Sequence, residues 1–370
     1  MEILSTEVQQ PLDRLSAFEP SPFPVISLYL DTKADQHGKA RFESFLRKEF
    51  RDRARSFAPR SAEAESFERD VERIQKYLGQ ELRPSSNSVV IFACAGNDDF
   101  FEAMQLDASI ENSRLYIGAE PHLYELARLQ DHYRQYLAVL ADTNSARIFV
   151  FGLNKTLGKE EVQNVKTQRT KVGGWSQARY QRHIDNYHMH HAKEVVDTIE
   201  RIMRDENIEG IVFAGDEVII PILKQHMSPN LQEKIIDVVR LDITSTEQEL
   251  LKASFEAMRQ QDAKTDAEQV QLLLDAYRGG GLATVGLRET LEALKIGQVD
   301  TLFLTANLEL IRDDAEPDAK LDLFKPDELV TRAQQTSANI RFIEDPALLD
   351  HVGGVAATLR YLLSPSQGAK

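Results

Sequence analysis

Apolar residues in this chain come in short runs, and the length of those runs limits what it can fold into. Residues 24–30 (PVISLYL), Val89 to Ala95, Tyr136 to Ala141, Ala146 to Phe151, Ile208 to Ala214, Ile235 to Leu241, Thr301 to Leu304 and Ile340 to Ile343 all have the length of a buried strand. Stretches with helical periodicity separate most of them. A chain built this way makes sheets covered by helices, and 370 residues are too many for one core at ~100 to 200 residues per domain. No run reaches the ~20 apolar residues a spanning helix requires, and the first residues lack the basic start and apolar centre of a signal peptide. The expected location is cytoplasmic, with no membrane partner.

The pattern predicts three domains. Residues 1–133 read as α+β: a strand at 24–30, charged helices near 37–57 and 61–80, and strands at 89–95, 100–106 and 113–117. Residues 134–277 read as α/β. Tyr136 to Ala141 and Ala146 to Phe151 form a hairpin across Asp142, Thr143, Asn144 and Ser145, whose side chains favour turns, and a third strand is expected near Glu160 to Val165. From Ser176 to Arg204 the spacing of Tyr180, Ile184, Tyr187, His191, Val195, Thr198 and Ile202 predicts a helix with one buried stripe. Its opposite face carries Arg179, Arg182, His183, Asn186, His190 and Lys193. A strand (208–214), a helix (218–226), a strand (235–241) and a long helix (246–277, weakened at Ala263 to Asp266) complete this domain. Gly279, Gly280 and Gly281 mark the next boundary. Residues 278–370 read as a compact α/β domain with helices at 287–294, 325–336 and Val355 to Leu362, and strands at 301–304 and 340–343. The predicted fold class is thus α/β and α+β, with mixed sheets flanked by helices.

The net charge of −15 argues against indiscriminate binding of nucleic acid, because a uniformly acidic surface repels phosphates. Any RNA contact must be local. Lys155, Lys159, Lys166, Arg169, Lys171, Arg179 and Arg182 are opposed only by Glu160 and Glu161, so positive field concentrates there. Cys94 is the only cysteine, which excludes an intrachain disulfide and a thiolate zinc cluster; it reads as a small core residue. His183, His188, His190 and His191 read as core or RNA-facing side chains, and no metal or cofactor is expected. Gly279 to Gly281 with Gly286 lack the Gly-Lys-Ser/Thr ending of a phosphate loop and suit a hinge. Gly215, Asp216 and Glu217 suit a cap for the helix that follows.

One segment stands apart: Gly173-Gly174-Trp175-Ser176-Gln177-Ala178-Arg179-Tyr180-Gln181-Arg182-His183. Two glycines at the end of a basic loop allow close backbone approach, and the N–H groups of the helix beginning at Ser176 point at whatever lies there. This segment resembles the tip of the archaeal and eukaryotic class-1 peptide-chain release factors, in which Gly-Gly-Gln is followed by Ser, a small residue, a variable residue, Arg, Phe and an Arg-rich helix. Here the matching positions are Gly173, Gly174, Ser176, Arg179, Tyr180 for Phe, and Arg182. The hairpin before the tip, Ile211 to Gly215 after the helix, residues 287–305 and Gly353 to Tyr361 follow the family's order, so the resemblance extends over about 134 to 362. Residues 24–30 and the two helices after them are more loosely similar to its first domain.

The resemblance implies a protein of the release-factor and Pelota superfamily, from a bacterial homologue branch, that enters the ribosomal A site and reaches the peptidyl transferase centre beside P-site tRNA. It leaves open a translational GTPase docking on the C-terminal domain. Gly173, Gly174 and Gln177 are the implied catalytic set. Lys166, Arg169, Lys171, Trp175, Ser176, Arg179, Arg182 and His183 are the implied RNA contacts. Trp175 stands where the family has its glutamine, and the first domain has no match to the Asn-Ile-Lys-Ser loop that reads stop codons. The expected role is therefore A-site occupancy in ribosome rescue or hibernation, without decoding. Hydrolysis of peptidyl-tRNA by an offset Gln177, and a tRNA-binding or adaptor role away from the ribosome, stay open.

Overall fold

A computed structural model describes residues 6–33, 42–106, 108–110, 112–152, 155–163, 176–205, 208, 210–313 and 324–362, with backbone alone at 6–9, 155, 176–185 and 324–325. The protein is of mixed α/β class, with three sheets and ten α-helices among the described residues. It divides into two compact units: Tyr133–Thr265, and a discontinuous one in which Thr6–His132 cluster with the chain from Asp266 onward. No described helix is long and apolar enough to cross a membrane.

The first half of the discontinuous unit runs α1 (Thr6–Ser16), β1 (Val25–Asp31), α2 (Phe42–Ala54), α3 (Ala62–Gln80), β2 (Ser88–Cys94), β3 (Phe100–Leu106), β4 (Arg114–Gly118) and α4 (Tyr124–His132). The strands form an antiparallel sheet in the order β3-β2-β1-β4. Alternate residues of β1 and β2 (Ile26, Leu28 and Leu30; Val89, Ile91 and Ala93) face α2 and α3, which supply Phe42, Leu46, Phe50, Phe67 and Ile74. Within that helix layer Asp70 is 1% exposed: one carboxylate oxygen accepts from the Ala95 amide at 3.0 Å, and the other has no described partner. Cys94 is buried in β2, as its isolation in the sequence suggested.

The middle unit has β5 (Tyr136–Ala141), β6 (Ser145–Gly152), β7 (Lys155–Gln163), α5 (Ser176–Asp205), β8 (Gly210–Gly215), α6 (Ile219–His226), the short α7 (Pro229–Glu233), β9 (Ile235–Val239) and the first part of α8 (Glu247–Arg278). Its sheet order is β7-β6-β5-β8-β9, antiparallel at β7-β6-β5 and parallel at β5-β8-β9. The strand pleat sorts the side chains onto two faces. Leu137, Val139, Ile148, Val150, Ile211 and Phe213 pack on α5 and α6, while Tyr136, Ala138, Leu140, Phe149, Phe151 and Val212 pack on Leu250, Ala257 and Met258 of α8. The start of α8 is written locally: Thr246 and Glu249 exchange side-chain to backbone bonds of 2.7 and 3.3 Å in a capping box.

Past Thr265 the same helix belongs to the discontinuous unit, where Val270, Leu273 and Leu274 meet Phe303 and Ala356. Its end is a Schellman cap: Gly280 has φ +67, its amide bonds Tyr277, and the Gly281 amide bonds the Ala276 carbonyl at 2.7 Å. The glycine run therefore ends a helix. Then follow β10 (Ala283–Val285), α9 (Leu287–Lys295), β11 (Val299–Thr305), α10 (Phe324–Gln335), β12 (Asn339–Ile343) and β13 (Val355–Leu359), in the sheet order β10-β13-β11-β12. The helix predicted from Val355 to Leu362 is instead a central strand. Its alanines favour helix in isolation, but Ala356 and Ala357 lie opposite Phe303 and Leu302, and tertiary burial overrides propensity. Gly353 and Gly354, both at positive φ, turn the chain into it.

The two halves of the discontinuous unit are joined by buried polar contacts. Asp327 of α10 accepts from the Leu123 amide (2.9 Å), the Tyr124 amide (3.1 Å) and His122 Nδ1 (2.5 Å), so it caps α4 from 200 residues away in sequence. The Tyr124 hydroxyl donates to the Thr305 carbonyl, and His122 stacks on Tyr116.

Candidate functional site

The middle unit is organised around α5, whose 30 residues are far more than its sheet needs to be covered. Its members of the hydrophobic core are Ala192, Val195, Val196, Ile199 and Ile202, with His191 fully buried just before them. The predicted stripe is correct at His191, Val195 and Ile202. Tyr187 and Thr198 are half-buried, and Ala192, Val196 and Ile199 widen it. From Ala192 back to Ser176 the helix rises ~24 Å at 1.5 Å per residue.

Three contacts fix the packed end. His191 bonds the backbone of Ser145 and Asp142, at the turn between β5 and β6. Burial lowers its pKa, and those bonds and the charges of Asp142 and Glu194 oppose that shift. The turn is itself closed by Asp142, whose carboxylate accepts from the amides of Asn144 and Ser145 at 2.7 Å each. Arg201 pairs with Glu160 of β7. On the sheet's other face, Arg147 donates to the carbonyls of Ile243 (2.6 Å) and Ser245 (2.5 Å) and so positions the approach to α8.

The predicted site residues divide by what the structure describes. Lys166, Arg169, Lys171, Gly173, Gly174 and Trp175 lie outside the described residues. Ser176 is the first residue of α5, and Gln177, Arg179, Arg182 and His183 belong to its first two or three turns, with side chains outside the described set. Asn186, His190 and Lys193, placed on the polar face by their spacing, are exposed. Of the other basic residues, Lys159 pairs with Glu161 at 2.8 Å. His188 is half-buried, His190 exposed and His191 buried. At Gly215, φ is +120 and a Cβ would lie 2.0 Å from the Ala141 carbonyl oxygen, so glycine is required where β8 passes β5. Asp216 then accepts from the Val218 amide at 2.9 Å in the turn before α6; the N-cap itself is Val218, without a side-chain cap bond, so the cap expected of Gly215, Asp216 and Glu217 is a turn instead. The Asp327 cap on α4 escaped the sequence reading because its two ends share no local pattern.

Comparison with known proteins agrees with this architecture. The model for the bacterial archaeo-eukaryotic release factor family 10 matches residues 121–259, and that for eRF1 domain 3 matches residues 246–363. Peptide chain release factor subunit 1 of Pyrococcus abyssi is 24% identical over 261 residues, covering 65% of this chain and 62% of its own. The same factor from Methanocaldococcus jannaschii is 27% identical over 263 residues, covering 65% and 61%. The chain thus spans about three fifths of the length of these relatives. Among solved structures, S. cerevisiae Dom34, a translation termination-like factor, is 12% identical over 75% of this chain and 79% of its own, with a TM-score of 0.44. Archaeoglobus fulgidus Pelota is 17% identical over 76% and 82%, with a TM-score of 0.36. Across residues 121–363 this chain is thus a homologue of the archaeal peptide chain release factors, similar in its middle part to bacterial family 10 and in its last part to eRF1 domain 3.

Proposed function

We propose that this protein occupies the ribosomal A site in rescue or hibernation without decoding a stop codon, with its Gly173-Gly174-Trp175 tip directed at the peptidyl transferase centre. The observation that carries the reading is α5: a helix held at His191, whose first residue is ~22 Å farther along the axis and follows Gly173-Gly174-Trp175 in sequence. A long rigid support for a short tip suits a deep, narrow RNA site better than a surface adaptor. Lys166, Arg169, Lys171, Arg179 and Arg182 would meet rRNA phosphates, with Ser176 and His183 as further RNA contacts. A translational GTPase docking on the eRF1 domain 3-like part belongs to the same reading.

Occupancy is favoured over hydrolysis by the position of Gln177. Because α5 begins at Ser176, Gln177 is already in the first helical turn, and the residue that follows the two glycines is Trp175. An indole there can stack on a base, but it cannot position water for attack on an ester. The deciding experiment measures release of labelled peptide from P-site peptidyl-tRNA on purified ribosomes, beside a binding measurement. Saturated binding with no release is expected. Release above the ribosome-only background would replace this reading with peptidyl-tRNA hydrolysis through Gly173, Gly174 and Gln177. Absence from ribosomal fractions in a sucrose gradient would point to the tRNA-binding or adaptor role.

A further inference from the structure

The turn that joins β2 to β3 is exposed at its tip, yet side chains of α3 hold its backbone at four points. Ser66, Arg69, Asp70 and Arg73 lie at three- and four-residue spacings and so share one face of that helix. The Gly96 amide donates to the Ser66 hydroxyl at 2.8 Å and the Ala95 amide to Asp70 at 3.0 Å. Arg69 and Arg73 donate to the Ala95 and Asp99 carbonyls at 2.6 Å each. The turn also passes close to Phe23, where a Cβ on Gly96 would lie 2.2 Å from the ring. Asp98 and Asp99, both exposed, then reverse the chain at φ +49 and +50, and the Phe100 amide closes the turn on the Asn97 carbonyl.

Asp70 is the weak member of this clamp. It is 1% exposed, and the oxygen that does not meet Ala95 has no described partner. Burial raises its carboxyl to about 6, with Asp99 adding to the rise and the Ala95 bond, Arg69 and Arg73 opposing it. The groups around it are Arg69 and Arg73 on its own helix, Asp99 in the turn and Cys94 on β2. Helix α2 meets α3 through Phe50 on Phe67, β3 brings Phe101 under Arg73, and the segment before β1 brings neutral Ser21 and Phe23. A protonated Asp70 sits in this corner without charge and still accepts from Ala95. A carboxylate gains partners for its second oxygen only when the turn lifts and water enters.

We propose that Asp70 makes the β2–β3 tip a pH-sensitive element, held on α3 while the carboxyl is protonated and released from it when the carboxyl ionises. This holds whether or not the protein enters the A site. In the lifted tip the carboxyl is hydrated and titrates near its ordinary 3.8, so the lifted state loses its proton over a range in which the closed one keeps it. The equilibrium constant for lifting therefore rises between pH ~4 and pH ~6 and levels off above, by ~100-fold in all for a separation of about two pH units.

Amide hydrogen exchange of the full chain, read at residues 95–100 from pH ~4 to ~7.5 and divided by the intrinsic rate at each pH, tests this. Wild-type protection at the tip is expected to fall by ~30- to 100-fold over that range. Val90 and Ile91, buried in β2, should stay more protected than the tip at every pH. A tip as protected as they are would place its exchange in global unfolding and overturn the proposal. Asp70→Asn cannot ionise and is expected to keep the tip protected throughout. A fall that persists in this variant, or no fall in wild type, overturns the proposal. If Asp70→Asn does not fold, Asp99→Asn decides. It keeps a residue that tolerates positive φ and removes the like charge that Arg69 also pairs with at 3.5 Å, so the midpoint should move to lower pH. An unmoved midpoint overturns the proposal.

Discussion

Replacing Asp70 by Asn should make the discontinuous unit more stable at neutral pH and change little in acid. The carboxylate sits in the α3 layer with one oxygen on the Ala95 amide and the other without a described partner. Burial raises its pKa from 3.8 to about 6, against the pull of the Ala95 bond and of Arg69 and Arg73. Between those two values the folded protein holds a proton that the unfolded chain has released, so this group's contribution to stability falls as pH rises from ~4 to ~6. A shift of about two units corresponds to about 3 kcal/mol. Asn is close in shape to the protonated acid and cannot ionise. The variant should therefore match wild type near pH ~4 and exceed it by about 2 to 3 kcal/mol above pH ~7. Urea unfolding followed by far-UV circular dichroism across a pH series measures this, and the variant-minus-wild-type difference cancels the other carboxylates. A difference that stays flat with pH refutes the reasoning.

Three further substitutions probe other parts of the fold. Gly215→Ala places a Cβ against the Ala141 carbonyl at a positive φ, and should cost the middle unit at least about 2 to 3 kcal/mol in a urea melt; a wild-type midpoint would show that the strand crossing is looser than described. Asp327→Ala strips the cap from α4 and leaves buried donors at His122, Leu123 and Tyr124, for an expected loss of about 3 kcal/mol and earlier cleavage in limited proteolysis. An unchanged digestion pattern would count against that. Trp175→Ala should weaken ribosome binding by roughly 10- to 100-fold, the range of one stacked base, without changing peptide release. Full-strength binding by this variant would mean that the indole is not the contact.

Most of the sheet framework was legible because its signals are local. Tyr136 to Ala141 and Ala146 to Phe151 announce a hairpin by their alternation and by Asp142, which closes the turn with its own side chain. The buried stripe of α5 follows from spacing. What was missed depends on distant partners. Helix α4 is short and takes its cap from Asp327, so no signal surrounds Tyr124. Strand β13 reads as helix because alanine is judged by propensity until Phe303 and Leu302 appear beside it. At the candidate site, residues 173–183 were legible only as a pattern of types resembling a family.

The long-range cap has a consequence for how the chain matures during synthesis. At ~5 to 20 residues per second, about 200 residues separate the emergence of α4 from that of Asp327, a wait of ~10 to 40 seconds. Residues 133–265 emerge as their own unit within that interval, whereas residues 6–132 emerge first and gain the Asp327 contacts last. A nascent chain halted near residue 300 should therefore carry a protease-resistant middle and a sensitive leading segment, and one released after residue 362 should protect both. The part of the protein made first thus waits longest for its last buried partner, although in the finished molecule it is half of the larger unit.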